Sequence, residues 1–361
     1  MKIVLAGGGT GGHVYPALAM GDALRARGHE VVYVGDAGRL EGRVAPQRGY
    51  EFHGITAPQY PRGGVLAKFG FAASLLKAIL AARGTLRRLK GDLVLGVGGY
   101  IMAPTVLAAS TMGVHRVIHE ANVAPGLANR LCAKVAELVL LTYAASGPRL
   151  GGSAPKEVVG CPVNPKVLEG DRAAALAHYG LSADQPVLLL VGGSLGAATL
   201  NAIALAAARM TPRAWQLLWI TGPRYHEQAM ADLGDVPPGV AVVHYEDQMG
   251  RAYAAADLVV ARAGSSTLAE LTALGKPAVL VPSPNVTDNH QEANARGLEQ
   301  EGAARVIVEK NLDIPAALDR IDALLKDADA LAAMSEASRR QGKLDVAERV
   351  ADLIEGRFGA A

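Results

Sequence analysis

Cysteine is nearly missing from this chain of 361 residues: Cys132 and Cys161 are the only two. Two thiols cannot build a disulfide framework or a four-ligand zinc site, and a reducing, cytoplasmic setting suits that composition. Aromatic residues are scarce at 4%. A reader of single-stranded nucleic acid needs stacking platforms, so no nucleic acid is expected as a partner. Charged residues make up only 19% against 50% hydrophobic, which excludes a disordered chain and supplies a large core. The opening run Met1–Ala6 meets Gly7 too early for the apolar stretch of a signal peptide.

Charge is also missing locally. Between Leu93 and Val114 there are 22 residues without a charge, enough to span a bilayer. Gly96, Gly98, Gly99, Pro104 and Gly113 interrupt it, so the stretch reads as a buried strand, a glycine turn and a helix from about Ala103. Between Phe52 and Gly91 there is no acid, while seven bases stand there: Arg62, Lys68, Lys77, Arg83, Arg87, Arg88 and Lys90. Leu66, Phe69, Ala73, Leu76 and Leu80 recur at helical spacing through the same segment. A basic, apolar helix can lie in an anionic lipid interface; a stripe buried in the core with solvated bases is the other reading. Residues 1–160 carry 18 bases and 9 acids, a net +9 that the remainder offsets with −7. The basic half therefore suits an anionic partner.

Short β-rich runs alternate with helical stretches. Ile3–Ala6, Val31–Val34, Phe52–Ile55, Leu93–Leu95, Arg116–His119 and Leu138–Leu141 read as strands, with helices such as Pro16–Arg27, Leu66–Ala82 and Ala103–Met112 between them. The pattern stops near Gly160–Pro165 and restarts at Val187–Val191, followed by Gln216–Ile220, Val240–Val243, Leu258–Val260, Ala278–Val281 and Ala304–Val308. Such alternation predicts an α/β protein with two doubly wound parallel sheets in series: an N-terminal domain over 1–160 and a C-terminal domain over 161–342. The last stretch, 343–361, is helical by pattern. It caps the second sheet or crosses back to the first. Ligands of open α/β sheets bind beyond the carboxyl ends of the strands, so the chemistry is expected in a cleft between the domains.

Glycine is plentiful, with 42 residues, and three clusters follow predicted strands. Gly7-Gly8-Gly9-Thr10-Gly11-Gly12-His13 follows the first, Gly96-Val97-Gly98-Gly99-Tyr100 another strand of the same sheet, and Gly192-Gly193-Ser194-Leu195-Gly196-Ala197 opens the second series. Glycines let the backbone approach a phosphate, and a helix start offers unpaired N–H groups. The first cluster also satisfies the dinucleotide fingerprint, with Glu30 and Asp36 as ribose-binding acids, so a nicotinamide-dependent oxidoreductase is an alternative. One cofactor needs one such turn, whereas three imply two phosphorylated ligands, one per domain, and favour group transfer.

In the second half, Arg262-Ala263-Gly264-Ser265-Ser266-Thr267-Leu268-Ala269-Glu270 follows a strand. Gly264 and Ser265 read as a helix start able to receive a diphosphate. Glu270, two turns in, is a carboxylate for both ribose hydroxyls or a solvated helix residue. The polar loop Asn285–Asn294, with His290 and Gln291, is placed to bond a sugar or is plain surface.

The strings GGGTGGH, GVGGY, HEAN (His119–Asn122), GGSLGA and RAGSSTLAE, then the His290-Gln291 loop, occur in this order. Together they resemble the MurG family of peptidoglycan-synthesising N-acetylglucosaminyltransferases over nearly the whole chain. The resemblance implies a GT-B fold and inverting transfer of N-acetylglucosamine from UDP-GlcNAc to the 4-hydroxyl of the MurNAc of undecaprenyl-linked lipid I, giving lipid II. It implies no cofactor and no bound metal. Partners would be UDP-N-acetylglucosamine, lipid I, the anionic cytoplasmic leaflet and other cell-wall synthesis proteins, with a peripheral location on the cell membrane. By position, Thr10, Gly11 and Gly12 would lie at the cleft, Asn122 near the donor sugar, and Gly98, Gly99 and Tyr100 at the acceptor diphosphate. Ser194 would contact donor phosphates and the backbone of Glu246 the uracil. Ser265, Ser266, Thr267 and Leu268 would line the nucleotide, Glu270 hold the ribose, and His290 and Gln291 meet sugar hydroxyls. Leu195, Ala121 and His290 stand where the family usually has Gln, and Asn164 where it has a phosphate-binding Arg, with Lys166 nearby as a substitute. Histidine suits proton removal at neutral pH, which makes His13 the candidate base; lipid-diphosphate binding and helix capping are its other roles. Asp327-Ala328-Asp329, the only D-x-D string, reads as solvated surface. A non-catalytic nucleotide-sugar-binding module is a third alternative.

Overall fold

The structure, a computed structural model, describes residues 1–59, 61, 65–286, 289–310 and 312–359, with residues 65–68 described by backbone alone. The chain divides into two compact units, Met1–Val163 with Asp345–Ala361, and Asn164–Leu344. The first holds β1 (Lys2–Ala6), β2 (Glu30–Gly35), β3 (Glu51–Gly54), β4 (Leu93–Gly96), β5 (His115–Glu120), β6 (Leu138–Leu141) and β7 (Lys156–Val158). They form one parallel sheet in the order β3-β2-β1-β4-β5-β6-β7. The second holds β8 (Val187–Val191), β9 (Gln216–Ile220), β10 (Val240–Val243), β11 (Leu258–Ala261), β12 (Ala278–Leu280) and β13 (Ala304–Val306). Its parallel order is β10-β9-β8-β11-β12-β13. Both orders reverse beside their first strand, which leaves a crevice at the carboxyl edge between β1 and β4 and between β8 and β11.

The sheets are covered on both faces, so their strands are apolar throughout. Period-two alternation sorts the side chains. Val4, Ala6, Val32, Val34, Val94, Ile118 and Val139 join one core with Ala82, Leu86, Met102 and Val106 of helices Val65–Leu89 and Met102–Ser110. Ile3, Leu5, Val31, Tyr33, Leu93, Leu95 and Val117 join another, with Leu18, Met20 and Leu24 of helix Gly11–Ala26. In the second unit, Leu188, Leu190, Leu217, Trp219, Leu258 and Val260 meet Leu200, Ile203, Leu318 and Ile321 of helices Ala198–Arg209 and Ile314–Lys326. Removing one such buried leucine typically costs about 2–5 kcal/mol.

Several boundaries depart from the sequence reading for local reasons. Helix Gly11–Ala26 begins inside the glycine run rather than at Pro16, which sits within it. The helix read as Leu66–Ala82 spans Val65–Leu89. β7 had no apolar signal; it is a three-residue edge strand, Lys-Glu-Val. The uncharged stretch from Leu93 is a buried strand, a turn and helix Met102–Ser110. Asp327 is more than surface: its Oδ1 accepts the Ala330 N–H at 2.9 Å and caps helix Ala328–Gln341.

The C-terminal helix, Val346–Phe358, belongs to the first unit. Val346, Val350, Ala351 and Ile354 join the core around helix Gly11–Ala26. Arg27 binds Glu348, Asp352 and Glu355 at 2.7, 2.5 and 2.9 Å, and His29 Nε2 meets Glu355 at 2.8 Å. His29 and then Arg27 hold the Glu355 carboxyl below its usual range.

Candidate functional site

In the first unit the turns after β1 and β4 interlock at the switch point. Gly9, Gly98 and Gly99 have φ of +89°, +92° and +78°, the left-handed region that glycine tolerates. A Cβ on Gly99 would lie 2.3 Å from the Gly8 carbonyl oxygen, and one on Gly98 would lie 2.6 Å from His13 Nδ1. The structure therefore brings Thr10, Gly11, Gly12 and His13 beside Gly98, Gly99 and Tyr100. Thr10 caps the helix through its backbone and is exposed; its carbonyl accepts the N–H groups of His13 and Val14, each at 3.1 Å.

One residue here escaped the sequence reading. Glu41 is fully buried, accepts the Gly9 N–H at 3.0 Å and the Asp36 N–H at 3.2 Å, and lies where a Cβ on Gly8 would fall. An internal carboxylate thus answers a glycine N–H that a dinucleotide phosphate would use. The acids proposed for a ribose fare no better. Glu30 stands at the amino start of β2 and pairs with Lys2 at 2.7 Å, at the sheet edge away from the turn. Asp36 Oδ1 accepts the Gly38 N–H at 2.9 Å, and Oδ2 accepts the Tyr100 hydroxyl at 3.3 Å.

Asn122 follows β5 and is placed by Glu120. That buried carboxylate accepts the Asn122 N–H at 2.8 Å, Asn129 Nδ2 at 2.6 Å and the Gly126 N–H at 3.3 Å. Burial pushes the Glu120 pKa up against those donors. His119 is buried beside it. Its Nε2 donates to the Gly160 carbonyl at 2.8 Å, which places the proton on Nε2, and desolvation brings its pKa down to about 4. Only the HEAN string hinted at Glu120; Asn129, inside a short helix, gave no signal.

In the second unit the turns after β8, β11 and β12 are tied together. Arg262 donates to the Val281 carbonyl at 2.9 Å and pairs with Glu309, which accepts the Thr199 hydroxyl at 2.6 Å. Burial disfavours the Glu309 charge, but its Arg262 and Thr199 hydrogen bonds prevail and hold its pKa below the usual value. Gln291 Oε1 accepts the Ser283 N–H at 2.9 Å, and Asn294 Nδ2 reaches the Ala263 carbonyl at 3.4 Å. Helix His290–Gln300 is thereby fastened to the turns that precede it, with His290 at its first position. Thr287 and Asp288 of this loop lie outside the described residues.

Helix Ser265–Leu274 opens at the β11 turn with Gly264 as its cap, a residue with no side chain to occupy the first N–H groups. Ser265 and Leu268 are buried, and Leu268 N–H bonds the Gly264 carbonyl at 3.0 Å. Thr267 is half-buried. The Ser266 hydroxyl is buried without a hydrogen-bond partner among the described residues. Ser194 and Leu195 are exposed in the β8 turn, whose Gly196 packs on Gly222 so closely that a Cβ there would meet the Thr221 carbonyl at 2.2 Å. Glu270 Oε2 accepts the hydroxyl of buried Tyr253 at 2.8 Å. Desolvation raises the Glu270 pKa to about 7, the Tyr253 bond opposing it. Glu246 is held by the Tyr179 hydroxyl at 2.5 Å and the Gln248 N–H at 2.7 Å. Asn164 is a turn residue: its Oδ1 accepts the Lys166 N–H at 3.2 Å, and Lys166 is exposed.

Two doubly wound parallel units, each with a glycine turn at its switch point and an open helix start in the second, define the GT-B architecture. The comparisons narrow this. Residues 3–141 match the glycosyltransferase family 28 N-terminal domain and residues 187–350 the family 28 C-terminal domain. A relative from Halothermothrix orenii is 38% identical over 98% of both chains, and one from Clavibacter sepedonicus is 44% identical over 97% of this chain and 95% of its own. Each of these two is named a UDP-N-acetylglucosamine–N-acetylmuramyl-(pentapeptide) pyrophosphoryl-undecaprenol N-acetylglucosamine transferase. The crystal structure of Acinetobacter baumannii MurG superposes with a TM-score of 0.78 at 30% identity, covering 98% of this chain and 99% of that one. The chain belongs to the MurG family within glycosyltransferase family 28.

Proposed function

We propose that this protein transfers N-acetylglucosamine from UDP-GlcNAc to the 4-hydroxyl of the MurNAc of lipid I, forming lipid II. The observation that carries the donor half is the open start of helix Ser265–Leu274, with the Ser266 hydroxyl, which has no partner among the described residues, at its mouth. The positive end of a helix with free N–H groups favours a diphosphate. Ser194, Ser265, Ser266 and Thr267 would hold the donor phosphates with it, and the Glu246 backbone the uracil. Glu270 would accept the ribose hydroxyls, and His290 and Gln291 would meet the sugar. In the reaction the acceptor oxygen attacks the anomeric carbon, its bond to phosphate breaks with inversion, and UDP leaves with the bonding pair. Dipoles fixed before the reaction stabilise that leaving charge without reorganising. His13 takes the hydroxyl proton; Gly98, Gly99 and Tyr100 would receive the acceptor diphosphate, and Asn122 would approach the donor sugar. The decisive experiment offers the protein labelled UDP-GlcNAc and a lipid I analogue. Formation of the disaccharide lipid is expected; binding of UDP-GlcNAc without transfer, or preference for NAD, would refute the assignment.

The acceptor is a lipid, and helix Val65–Leu89 suits a lipid surface. Within it Phe69–Leu89 is long and apolar enough to cross a membrane by length and composition. Leu75, Ala78, Ile79, Ala82 and Leu86 face inward, whereas Phe69, Leu76 and Leu80 are 71%, 58% and 60% exposed, and Ala73 is exposed between them. The stripe read as apolar thus faces outward rather than into the core. Lys77, Arg87 and Arg88 are exposed on the same helix and Lys90 just beyond it, with Arg83 half-buried. Arg62 and the side chains of Leu66 and Lys68 lie outside the described residues. The face would lie on the anionic cytoplasmic leaflet, as a peripheral contact that could admit other cell-wall synthesis proteins. Replacing Phe69, Leu76 and Leu80 with Ser should abolish sedimentation with anionic vesicles and leave thermal stability intact. Undiminished vesicle binding would remove this reading.

A further inference from the structure

The second unit also carries a cavity of about 390 Å3, lined by Val167, Gly170, Arg172, Gly250, Asp257 and Lys276 among others. Asp257 immediately precedes β11 and Lys276 stands two residues before β12. The two residues therefore mark the amino edge of the sheet, opposite the glycine turns. The polar groups there are anchored to backbone. Asp257 Oδ2 accepts the Val187 N–H and Arg172 Nη2, both at 2.8 Å. Arg172 Nη1 donates to the Ala255 carbonyl at 2.7 Å, and Lys276 Nζ donates to the Ala256 carbonyl at 2.8 Å. Both cations thus serve the C-terminal carbonyls of helix Met249–Ala255, a common use of Arg and Lys.

Lys276 differs from an ordinary capping lysine in its surroundings. It is half-buried, and Arg339 reaches the same turn, its Cγ standing 2.2 Å from where a Cβ on Gly275 would lie. Around Lys276, then, two guanidiniums, Arg172 and Arg339, outnumber the carboxylate of Asp257. Burial lowers its pKa most, Asp257 opposes this, and Arg172 and Arg339 add to the fall, which ends at about 8. An amine that keeps a sizeable neutral fraction near physiological pH and lines an accessible cavity is a nucleophile.

We propose that Lys276 is a modification site, its Nζ being acylated at the wall of this cavity by small acyl phosphates. The neutral nitrogen attacks the acyl carbonyl carbon and a C–N bond forms. The C–O bond to phosphate breaks, phosphate leaves with that electron pair, and the nitrogen gives one proton to water. The product has lost its positive charge beside the end of helix Met249–Ala255.

The test incubates the full chain with acetyl phosphate at pH 7.5 and follows each lysine by peptide mass spectrometry. About a quarter of Lys276 amines are neutral at that pH, against about one in a thousand for an ordinary lysine. Lower basicity also weakens a nucleophile, as it does for thiols, so the expected advantage over exposed Lys134 and Lys343 is roughly tenfold. The Lys276 rate should level off above about pH 8 while the Lys343 rate keeps rising to about pH 10. Lys276→Arg should abolish the fast phase. Equal rates at the three lysines, parallel pH profiles, or a fast phase that survives Lys276→Arg would overturn the proposal.

Discussion

Both units end their first strand in a glycine turn at a topological switch point, yet the two turns are finished differently. The turn after β1 is closed from within: Glu41 lies over Gly8 and takes the Gly9 N–H at 3.0 Å, while the β4 turn locks against it through Gly99. In the second unit the helix start beside the β8 turn has only a glycine as its cap, and a buried serine hydroxyl there has no partner among the described residues. A fingerprint of glycines therefore marks a close backbone approach, and what approaches can be the chain's own carboxylate or an outside phosphate. Under this reading the first turn is scaffold for His13, and the second is the donor site.

The sharpest way to break the comparison is His13→Ala. Losing a general base should lower kcat by about 10²–10⁴ with little change in the KM for UDP-GlcNAc; near-normal turnover would strip the first turn of its catalytic role. Glu41→Ala comes next. It leaves two part-buried backbone N–H groups without acceptors, and urea unfolding should show a loss of about 2–4 kcal/mol. A neutral result would mean that the first turn is as open as the second. Glu270→Ala acts on binding instead. Titration calorimetry should show UDP bound about tenfold or more weakly, because an acceptor of hydroxyls is gone, while the Tyr253 hydroxyl left without its acceptor costs about 1–3 kcal/mol of stability.

The same residue carries a pH test. Its folded pKa of about 7 lies above the ordinary glutamate value of 4.5. The carboxyl's contribution to stability is full below the lower value and is lost as pH rises towards the upper one. UDP affinity should run the other way, falling as pH drops through about 7, and Glu270→Gln should flatten the profile. The smallest effect belongs to Ser266→Ala. It should weaken UDP binding a few-fold and cost no stability, since the hydroxyl it removes has no hydrogen-bond partner among the described residues. A stability loss like that of Glu41→Ala would erase the contrast between the turns.

Much of the architecture was legible in the residues. Alternating apolar runs and helical stretches mark two parallel sheets because strands buried on both faces have to be apolar, and the helix start at Gly264–Ser265 showed as glycine followed by hydroxyl residues after a strand. What stayed hidden depends on partners distant in the chain. Glu41 looks like any acid on a short helix until its carboxylate is seen under Gly9. Arg262 and Glu309 are 47 positions apart, and no local pattern joins them. The outward stripe of helix Val65–Leu89 was equally readable as core, because both of its faces carry leucine.

Sequence by itself determined the fold class, the two successive sheets and the glycine turns, since these follow from periodicity and from the backbone freedom of single residues. Only the tertiary structure decided which turn is closed by a carboxylate, which face of a doubly apolar helix meets solvent, and where the last helix goes. Val346–Phe358 could by pattern have covered either sheet. It lies against helix Gly11–Ala26 because its buried valines complete that core and Arg27 gathers three of its acids, a fit that exists only once both helices are in place.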